Sequence, residues 1–162
     1  MKSKINFKKS YWLLVSLVLI VIDQLSKWYV KENFELLKSK EIINGFFYIT
    51  HHKNTGAAWG IFQNGTLVLA AISGIIAIVL VVFLLKMDDK FASLSLSIII
   101  AGALGNFIDR VAFLEVTDFL DFYIFKYDFP IFNVADSCVV VGTILLSIYI
   151  LFIYKEEKGI HE

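Results

Sequence analysis

Cysteine, proline and charged residues are all scarce in this chain. Its 162 residues include one Cys and one Pro, and only 19% are Asp, Glu, Lys or Arg. A single Cys excludes an internal disulfide framework and a multi-cysteine metal cluster. Fifteen basic and fifteen acidic residues cancel, so the chain lacks the basic surface that nucleic-acid binding requires. We therefore predict no nucleic-acid partner.

Apolar residues make up 58% of the sequence, above the roughly 45–50% that is typical of soluble domains. Four apolar stretches are each long enough, at about 1.5 Å per residue, to form a helix across a hydrocarbon core of about 30 Å. They lie at residues 11–30, 67–85, 91–108 and 134–154. The sequence predicts a mainly α-helical, polytopic membrane protein in which residues 1–162 form a single domain.

The distribution of lysine predicts the orientation of these helices. Residues 1–10, 86–90 and 155–162 hold eight lysines in 23 positions, whereas 31–65 and 109–132 hold six basic residues in 59. Because basic residues concentrate in cytoplasmic loops, we expect cytoplasmic termini and two outward loops. The first stretch follows four lysines, as a secretory signal does. No small-residue cleavage site follows it, so we predict a retained helix.

The two outward loops, 31–65 and 109–132, are too long to be simple connectors. In the first, two apolar segments flank Asn44-Gly45, a pair that is typical of a β-hairpin turn. We therefore expect a small sheet lying on the membrane face.

Ionisable side chains occur inside or at the ends of the predicted helices, where each is costly unless it is paired or functional. Asp23 and Lys27 are four residues apart and share a helix face, which favours an ion pair. This pair could be structural or part of a site. Asn106 and Arg110 repeat the spacing at the outer end of the third helix, where Arg110 could instead extend to the membrane surface.

Acidic residues cluster between the third and fourth helices. Asp118 and Asp136 have apolar neighbours there, so we predict that their carboxyls are desolvated. Desolvation raises a carboxyl pKa, and two adjacent carboxyls cannot both ionise cheaply, so the pair would share one proton, as in aspartic proteases. The ionised member would take a proton from water, and the protonated member would supply one to a substrate. Six of the fifteen acids fall within the 28 residues from 109 to 136, namely Asp109, Glu115, Asp118, Asp121, Asp128 and Asp136.

A second interpretation of Asp136 is purely structural. Asn133 is a favourable N-cap for the fourth helix, and Asp136 stands three residues later, where a capping box places an acid. The residues alone leave both interpretations open. Asp121 follows Asp118 by three and could be its neighbour on a helical turn.

Other kinds of site have less support from the sequence. His51 and His52 are adjacent and no His-Glu-x-x-His motif occurs, so we predict no metal site and no cofactor. Cys138 is expected to be a buried apolar residue. A proton or ion carrier would need polar residues through the depth of the bundle, and the second helix has almost none. A scaffold without activity would not need two interfacial aspartates.

Five segments, taken in order, resemble the family of lipoprotein signal peptidases, also called signal peptidase II or prolipoprotein signal peptidase. Each segment alone is weak, but five in order are highly specific, and together they span 114 of 162 residues. Ala101, where many members have Gly, and Thr117, where Val is usual, are small departures. The segments are Asp23-Gln24-x-x-Lys27, Asn54-Thr55-Gly56-Ala57-Ala58-Trp59-Gly60, Gly102-Ala103-Leu104-Gly105-Asn106-Phe107-Ile108-Asp109-Arg110, Val116-Thr117-Asp118-Phe119 and Phe129-Pro130-Ile131-Phe132-Asn133-Val134-Ala135-Asp136.

The resemblance implies an aspartic endopeptidase of the bacterial cytoplasmic membrane. Such an enzyme removes the signal peptide from prolipoproteins, on the amino side of a diacylglyceryl-modified Cys, without a metal or cofactor. The implied partners are lipid-modified prolipoproteins, membrane lipid and cyclic peptide inhibitors such as globomycin. The implied fold has four transmembrane helices, a small extracytoplasmic β-cradle and a short outer-face helix, with the active site near the outer leaflet.

The resemblance also implies roles for individual residues. Asp118 and Asp136 match the catalytic pair of the family. The positions that would line or support the site are Asp23, Lys27, Asn54, Gly56, Asn106, Arg110 and Asn133.

Overall fold

The structure, a computed structural model, describes residues 10–56, 65–125 and 127–154. Within this part of the chain, four helices are long and apolar enough to cross a membrane, as the sequence predicted, and the fourth of these spans is Val134–Ile153. A π-helical turn, Tyr149–Ile153, continues the last of them. The helices are α1 Trp12–Asn33, α2 Thr66–Lys86, α3 Lys90–Phe113 and α4 Val134–Ile148.

Helix α3 lies at the centre of the bundle and packs against the other three. In the most apolar 18-residue segment of each helix, 67% of the segment is buried in α3 but only 17–22% in the other helices. Most of that segment is therefore not buried in the other three helices. Small residues let α4 approach closely. A Cβ added to Gly142 would lie 2.6 Å from Cγ1 of Ile99 on α3, which is too close for any larger side chain.

The third helix is longer than the sequence predicted. It begins at Lys90, where the Asp89 side chain accepts a hydrogen bond of 2.7 Å from the backbone of Ala92. It passes the predicted end at residue 108 and continues to Phe113. Asp109 and Arg110 are therefore helical, and both are buried. Their polar groups find partners inside the protein, so the helix does not have to end before them.

Both long loops form parts of one four-stranded antiparallel sheet, with the order β1-β2-β3-β4. The first loop supplies a hairpin whose turn contains Gly45 at φ +64°, a conformation that favours glycine. This confirms the hairpin predicted at Asn44-Gly45. The strands are β1 Ser39–Ile43, β2 Phe47–Asn54, β3 Val116–Ile124 and β4 Tyr127–Asp128.

The sheet lies at one end of the bundle, where α1 and α3 finish and α2 and α4 begin. We call this the sheet end. Between the helices at this end, the described residues 34–56, 65, 114–125 and 127–133 form strands, turns and bends, with no helix. The short outer-face helix therefore remains a prediction, and Ala57, Ala58, Trp59 and Gly60 of the second motif lie outside the described residues.

We predict that Gly142→Leu destabilises the protein, because the added side chain has no space between α4 and α3. Overpacking of this kind typically costs about 1–3 kcal/mol. The neighbouring Val141 is half exposed on the outer surface of α4, so Val141→Leu is the matched control. Thermal unfolding in detergent should show a lower midpoint for the Gly142 variant alone. Equal midpoints for the two variants would contradict the close packing.

Candidate active site

Asp118 lies on β3, and the chain returns to it just before α4 begins. The backbone N–H groups of Phe119 and Leu120 donate to the carbonyl of Phe132, at 2.9 and 2.8 Å, and Phe132 N–H donates back to Leu120 at 3.1 Å. This pairing lays the segment before α4 along β3. It brings Asn133, the N-cap of α4, beside Asp118.

The side chain of Asn133 links the two aspartates. Its Nδ2 donates to Oδ1 of Asp118 at 2.6 Å, and its Oδ1 accepts from the backbone N–H of Asp136 at 2.9 Å. Oδ2 of Asp136 accepts in return from the backbone N–H of Asn133 at 3.1 Å. The capping box is therefore present, and it positions Asp136 near Asp118. The structural and functional interpretations of Asp136 are compatible.

Two further amides complete the hydrogen bonding of the aspartates. Asn54, at the end of β2, donates from Nδ2 to Oδ2 of Asp118 at 2.9 Å. Asn106, on α3, donates from Nδ2 to Oδ1 of Asp136 at 2.7 Å. Each of the four carboxylate oxygens thus accepts one N–H, which fixes both side chains and leaves each oxygen with a further acceptor site.

Burial changes the acidity of Asp118, which is 2% exposed. Desolvation, followed by the negative charge of Asp136, raises the pKa of Asp118 to about 7. The amides of Asn54 and Asn133 oppose this shift because they stabilise the carboxylate. Asp118 therefore holds a proton below about pH 7 and loses it above.

Behind the aspartates, Lys27 is buried and surrounded by acceptors. Its Nζ lies 2.8 Å from Oδ2 of Asp23, 2.9 Å from Oδ2 of Asp109 and 3.1 Å from Oδ1 of Asn106. Because Lys27 donates to Oδ1 of Asn106, the amide group of Asn106 is left to donate to Asp136. The ion pair predicted between Asp23 and Lys27 is present, and it extends to the site.

Asp23 also contacts the start of α4. Its Oδ1 accepts from the backbone N–H of Ala135 at 2.8 Å, which satisfies one unpaired donor of the first helical turn. Gly105 makes room for this contact, since a Cβ at that position would lie 2.6 Å from Oδ2 of Asp23. The carboxylate of Asp23 therefore joins α1, α3 and α4 at one point.

Sequence reasoning assigned no role to two members of this network. Gln24 donates from Nε2 to Oδ1 of Asp109 at 3.1 Å and to the carbonyl of Gly105 at 3.2 Å. Asp109 also forms an ion pair with Lys27. Helical spacing could have identified Asp109, because it follows Asn106 by three residues and so lies on the same face of α3.

Arg110 lies inside the protein, so the alternative in which it extends to the membrane surface is wrong. It is 8% exposed and donates to the carbonyl of Gly56 at 3.2 Å and, weakly, to that of Asn106 at 3.4 Å. The backbone N–H of Gly56 in turn donates to Oδ1 of Asn54 at 2.9 Å. Arg110 thus supports the loop that orients Asn54 toward Asp118.

A cavity of about 600 Å³ opens beside the two aspartates. Its polar lining includes Asn54, Arg110, Asp118 and Asp136, and the remainder is mostly apolar side chains from residues 129–132 and 139–141. Part of this apolar lining belongs to the exposed outer surface of α4, since Val140 and Val141 are about half exposed. The cavity therefore joins a polar site to the surface that α4 presents to lipid.

The role of Asp121 was open from the sequence, where it could have been the neighbour of Asp118 on a helical turn; the structure excludes that arrangement. Residues 116–124 form a strand, so side chains three apart point to opposite faces. Asp121 accepts a short hydrogen bond from Thr50 Oγ1. Among the described residues, no group of three His, Cys, Asp or Glu side chains could hold a metal ion. Cys138 is buried.

We predict that Lys27→Met destabilises the protein strongly, because it leaves Asp23 and Asp109 buried without their cation. Breaking a buried ion pair in this way typically costs about 3–5 kcal/mol. The control is Lys53→Met, which removes the partly exposed pair between Lys53 and Glu115 and should cost no more than about 1 kcal/mol. The free energies of unfolding are compared in the same detergent. If both variants lost a similar free energy of unfolding, this would contradict the claim that Lys27 neutralises the buried Asp23 and Asp109.

The cavity, the paired aspartates and the four helices can be compared with known proteins. Two solved bacterial membrane enzymes, both determined by the in meso method, have similar structures. One, at 2.3 Å resolution, is 38% identical with a TM-score of 0.82, and the match covers 100% of this chain and 98% of the other. The second, at 1.9 Å, is 41% identical with a TM-score of 0.80, covering 94% and 99%.

A family model gives the more specific result. The model described as signal peptidase (SPase) II matches residues 15–152, which include all five motifs, the whole of α2, α3 and α4, and α1 from residue 15 onward. Together with the four apolar helices, this match indicates a multi-pass membrane peptidase that acts on lipoproteins and is surrounded by lipid. The chain belongs to the signal peptidase II family, whose members cleave the signal peptides of lipoproteins.

Proposed function

We propose that Asp118 and Asp136 are the catalytic pair of an intramembrane aspartic endopeptidase, and that they share one proton. The observation that carries this proposal is the contact of one side chain, Asn133, with both aspartates at the lining of a single cavity. The pKa of Asp118, raised to about 7 by burial and by the charge of Asp136, supports it. At neutral pH this pair retains a proton that isolated carboxyls would lose.

The proposed reaction needs only these two groups and a water molecule. Asp136 takes a proton from the water molecule as the water oxygen attacks the peptide carbonyl carbon. Protonated Asp118 donates its proton to the carbonyl oxygen as negative charge develops there. Asp136 then passes its proton to the leaving nitrogen. The carbon–nitrogen bond breaks, and the proton on the carbonyl oxygen returns to Asp118. Both carboxyls end in their starting states, without a covalent intermediate.

The surrounding polar residues would hold this pair in place. Asn54 and Asn133 donate to Asp118, and Asn106 donates to Asp136, so each carboxyl keeps one orientation through the cycle. Asp23 and Lys27 act through Asn106 and through the first turn of α4. Arg110 and Gly56 act through Asn54. We assign these residues positioning roles.

We further propose that the substrate is a prolipoprotein carrying a diacylglyceryl group on the Cys that follows the scissile bond. The half-exposed valines of α4 in the cavity lining would let the acyl chains stay in lipid while the peptide reaches Asp118. The bilayer would thus position the substrate before chemistry begins. Globomycin and related cyclic peptides would occupy the same cavity.

The lysine distribution supports the corresponding orientation of the protein. In the sequence, its densest segments precede α1, follow the fourth helix and join α2 to α3. The described helix ends next to these segments are all opposite the sheet end. We propose a location in the bacterial cytoplasmic membrane with both termini in the cytoplasm. The sheet and the two aspartates would then lie at the outer leaflet.

The test compares cleavage of a diacylglyceryl-modified precursor with that of the unmodified precursor by purified protein in lipid. Only the modified precursor should be cut, and globomycin should block the reaction. Asp118→Asn and Asp136→Asn should each lower the rate by at least about 10²–10⁴-fold, because Asn keeps the size but cannot exchange the proton.

Asp128→Asn is the matched control, since Asp128 is an exposed acid on β4, and it should retain the full rate. Equal cleavage of both precursors would contradict the substrate assignment. Full activity of either Asn variant at 118 or 136, in protein shown to be folded, would contradict the catalytic pair.

We predict that activity falls as the pH rises through about 7. The sign follows from the raised pKa of Asp118, since the protonated form that the reaction needs exists below that value. On the alkaline side kcat/KM should fall about tenfold per pH unit. In Asn54→Ala the fall in kcat/KM should begin at a higher pH, because the Asn54 amide lowers the pKa of Asp118 in the unmodified protein. A rate that stays constant across neutral pH would contradict the shared proton.

A further inference from the structure

Asp121 is a buried carboxyl that the proposed mechanism does not use. It is 4% exposed and lies on β3, three residues after Asp118 and on the opposite face of the strand. Its Oδ2 accepts a short hydrogen bond from Thr50 Oγ1, and its Oδ1 has no hydrogen-bond partner among the described residues. Because loss of the Thr50 bond would leave a buried carboxyl without a donor, this bond holds Thr50 against β3.

Thr50 belongs to a β-bulge in β2. The register of β2 against β3 shifts between residues 49 and 52, so that two residues, Thr50 and His51, stand opposite Phe119 alone. Both residues of the bulge are buried. The strand β2 therefore carries one extra residue at this point.

The bulge determines which face of the sheet carries Asn54. Asn54 pairs with Val116, which lies on the same face of β3 as Asp118, and the Asn54 amide donates to Asp118 at 2.9 Å. If the register before the bulge continued without the extra residue, Asn54 would stand opposite Glu115. Its side chain would then lie on the other face of the sheet. The contact between Asn54 and Asp118 thus requires the bulge.

Contacts on three sides hold the bulge in place. Ser39 Oγ on β1 lies 2.7 Å from Thr50 Oγ1, and Ser39 donates because the Thr50 proton is directed at Asp121. These three side chains form a line across β1, β2 and β3. His51 Nδ1 donates to the carbonyl of Phe34 at 2.8 Å, directly after the end of α1. The bulge is therefore joined to β1, to β3 and to the chain that follows α1.

From this geometry we infer that Asp121 is a positioning residue for the reaction. Through Thr50 it fixes the bulge, and the bulge presents the Asn54 amide to the site. This inference rests on the proposed catalytic role of Asp118. Asp121 acts from a distance, since the cavity lining includes Asn54 and Asp118 but not Asp121. When the bond to Thr50 is removed, the register of β2 relaxes and Asp118 loses part of its hydrogen bonding.

The test is an infrared titration of the Asp118 carboxyl in the full chain in detergent, with Thr50→Val as the main variant. Val has nearly the shape of Thr but lacks the hydroxyl. Because the Asn54 amide lowers the pKa of Asp118, displacement of this amide should raise the titration midpoint above about 7. We expect a rise of about 0.5–1 pH unit, since complete loss of a hydrogen bond to a charged group corresponds to roughly 1–2 pH units. The variant leaves unchanged the charged groups that act on Asp118, namely Asp136, Lys27 and Arg110.

Three single variants are controls for this titration. Thr50→Ser keeps the hydroxyl and should keep the midpoint of the unmodified protein. Thr117→Val removes a buried hydroxyl next to Asp118 that has no hydrogen-bond partner among the described residues, so it should also leave the midpoint unchanged. Asn54→Ala removes the amide itself and should raise the midpoint at least as far as Thr50→Val.

A double variant keeps the test decisive if Thr50→Val does not fold. Thr50→Val/Asp121→Leu replaces both partners by apolar groups and leaves no buried carboxyl unpaired. The midpoint should again rise. Loss of the negative charge of Asp121 would by itself lower the pKa of Asp118, so a rise cannot come from that charge.

The outcomes separate this inference from the proposed function. A raised midpoint in Thr50→Val or in the double variant, with no change in Thr50→Ser and Thr117→Val, supports it. An unchanged midpoint in the folded variant overturns it, and so does an unchanged midpoint in Asn54→Ala, because Asn54 would then not carry the effect. An equal rise in Thr117→Val also overturns it, since loss of any nearby hydroxyl would then suffice. The titration involves no peptide cleavage, so it can succeed or fail independently of the cleavage assay of Asp118→Asn.

Discussion

The structure depends on the high cost of burying an ionised group away from water without a partner. Lys27 is 1% exposed, and its ammonium is paired with Asp23 and Asp109 while also donating to Asn106. These contacts join α1 to α3. Because the same Asn106 donates to Asp136, the requirement to neutralise one buried cation also orients a carboxyl of the proposed catalytic pair. Stability and chemistry share one network here.

Several features could be predicted from sequence because their causes are local. The apolar stretches are long enough to span a bilayer, and four such helices are present. Asn44-Gly45 predicted a hairpin because few other residues adopt a positive φ easily, and Gly45 has φ +64°. The capping box of Asn133 and Asp136 follows from their spacing. Asp118 and Asp136 stood out because carboxyls rarely occur among apolar neighbours.

Features that depend on distant parts of the chain could not be predicted in this way. The spacing of Asp118 and Asp121 left a helical turn open, but residues 116–124 form a strand that pairs with β2. Arg110 could have reached the membrane surface, and its actual partner is the carbonyl of Gly56, 54 residues earlier. The meeting of Asp118 with Asn133 requires the backbone pairing of Phe132 with β3. No local pattern specifies these contacts, because each is selected by the packing of the whole bundle.

The most direct test of the central claim is the infrared spectrum of the carboxyl groups in the folded protein. At a pH just below the Asp118 pKa of about 7, nearly all exposed carboxyls are ionised, so a buried protonated carboxyl gives a separate band. We expect this band in the unmodified protein and in Asp128→Asn, its absence in Asp118→Asn, and its loss as the pH rises through about 7. A spectrum without the band, or one unchanged by Asp118→Asn, would contradict the shared proton.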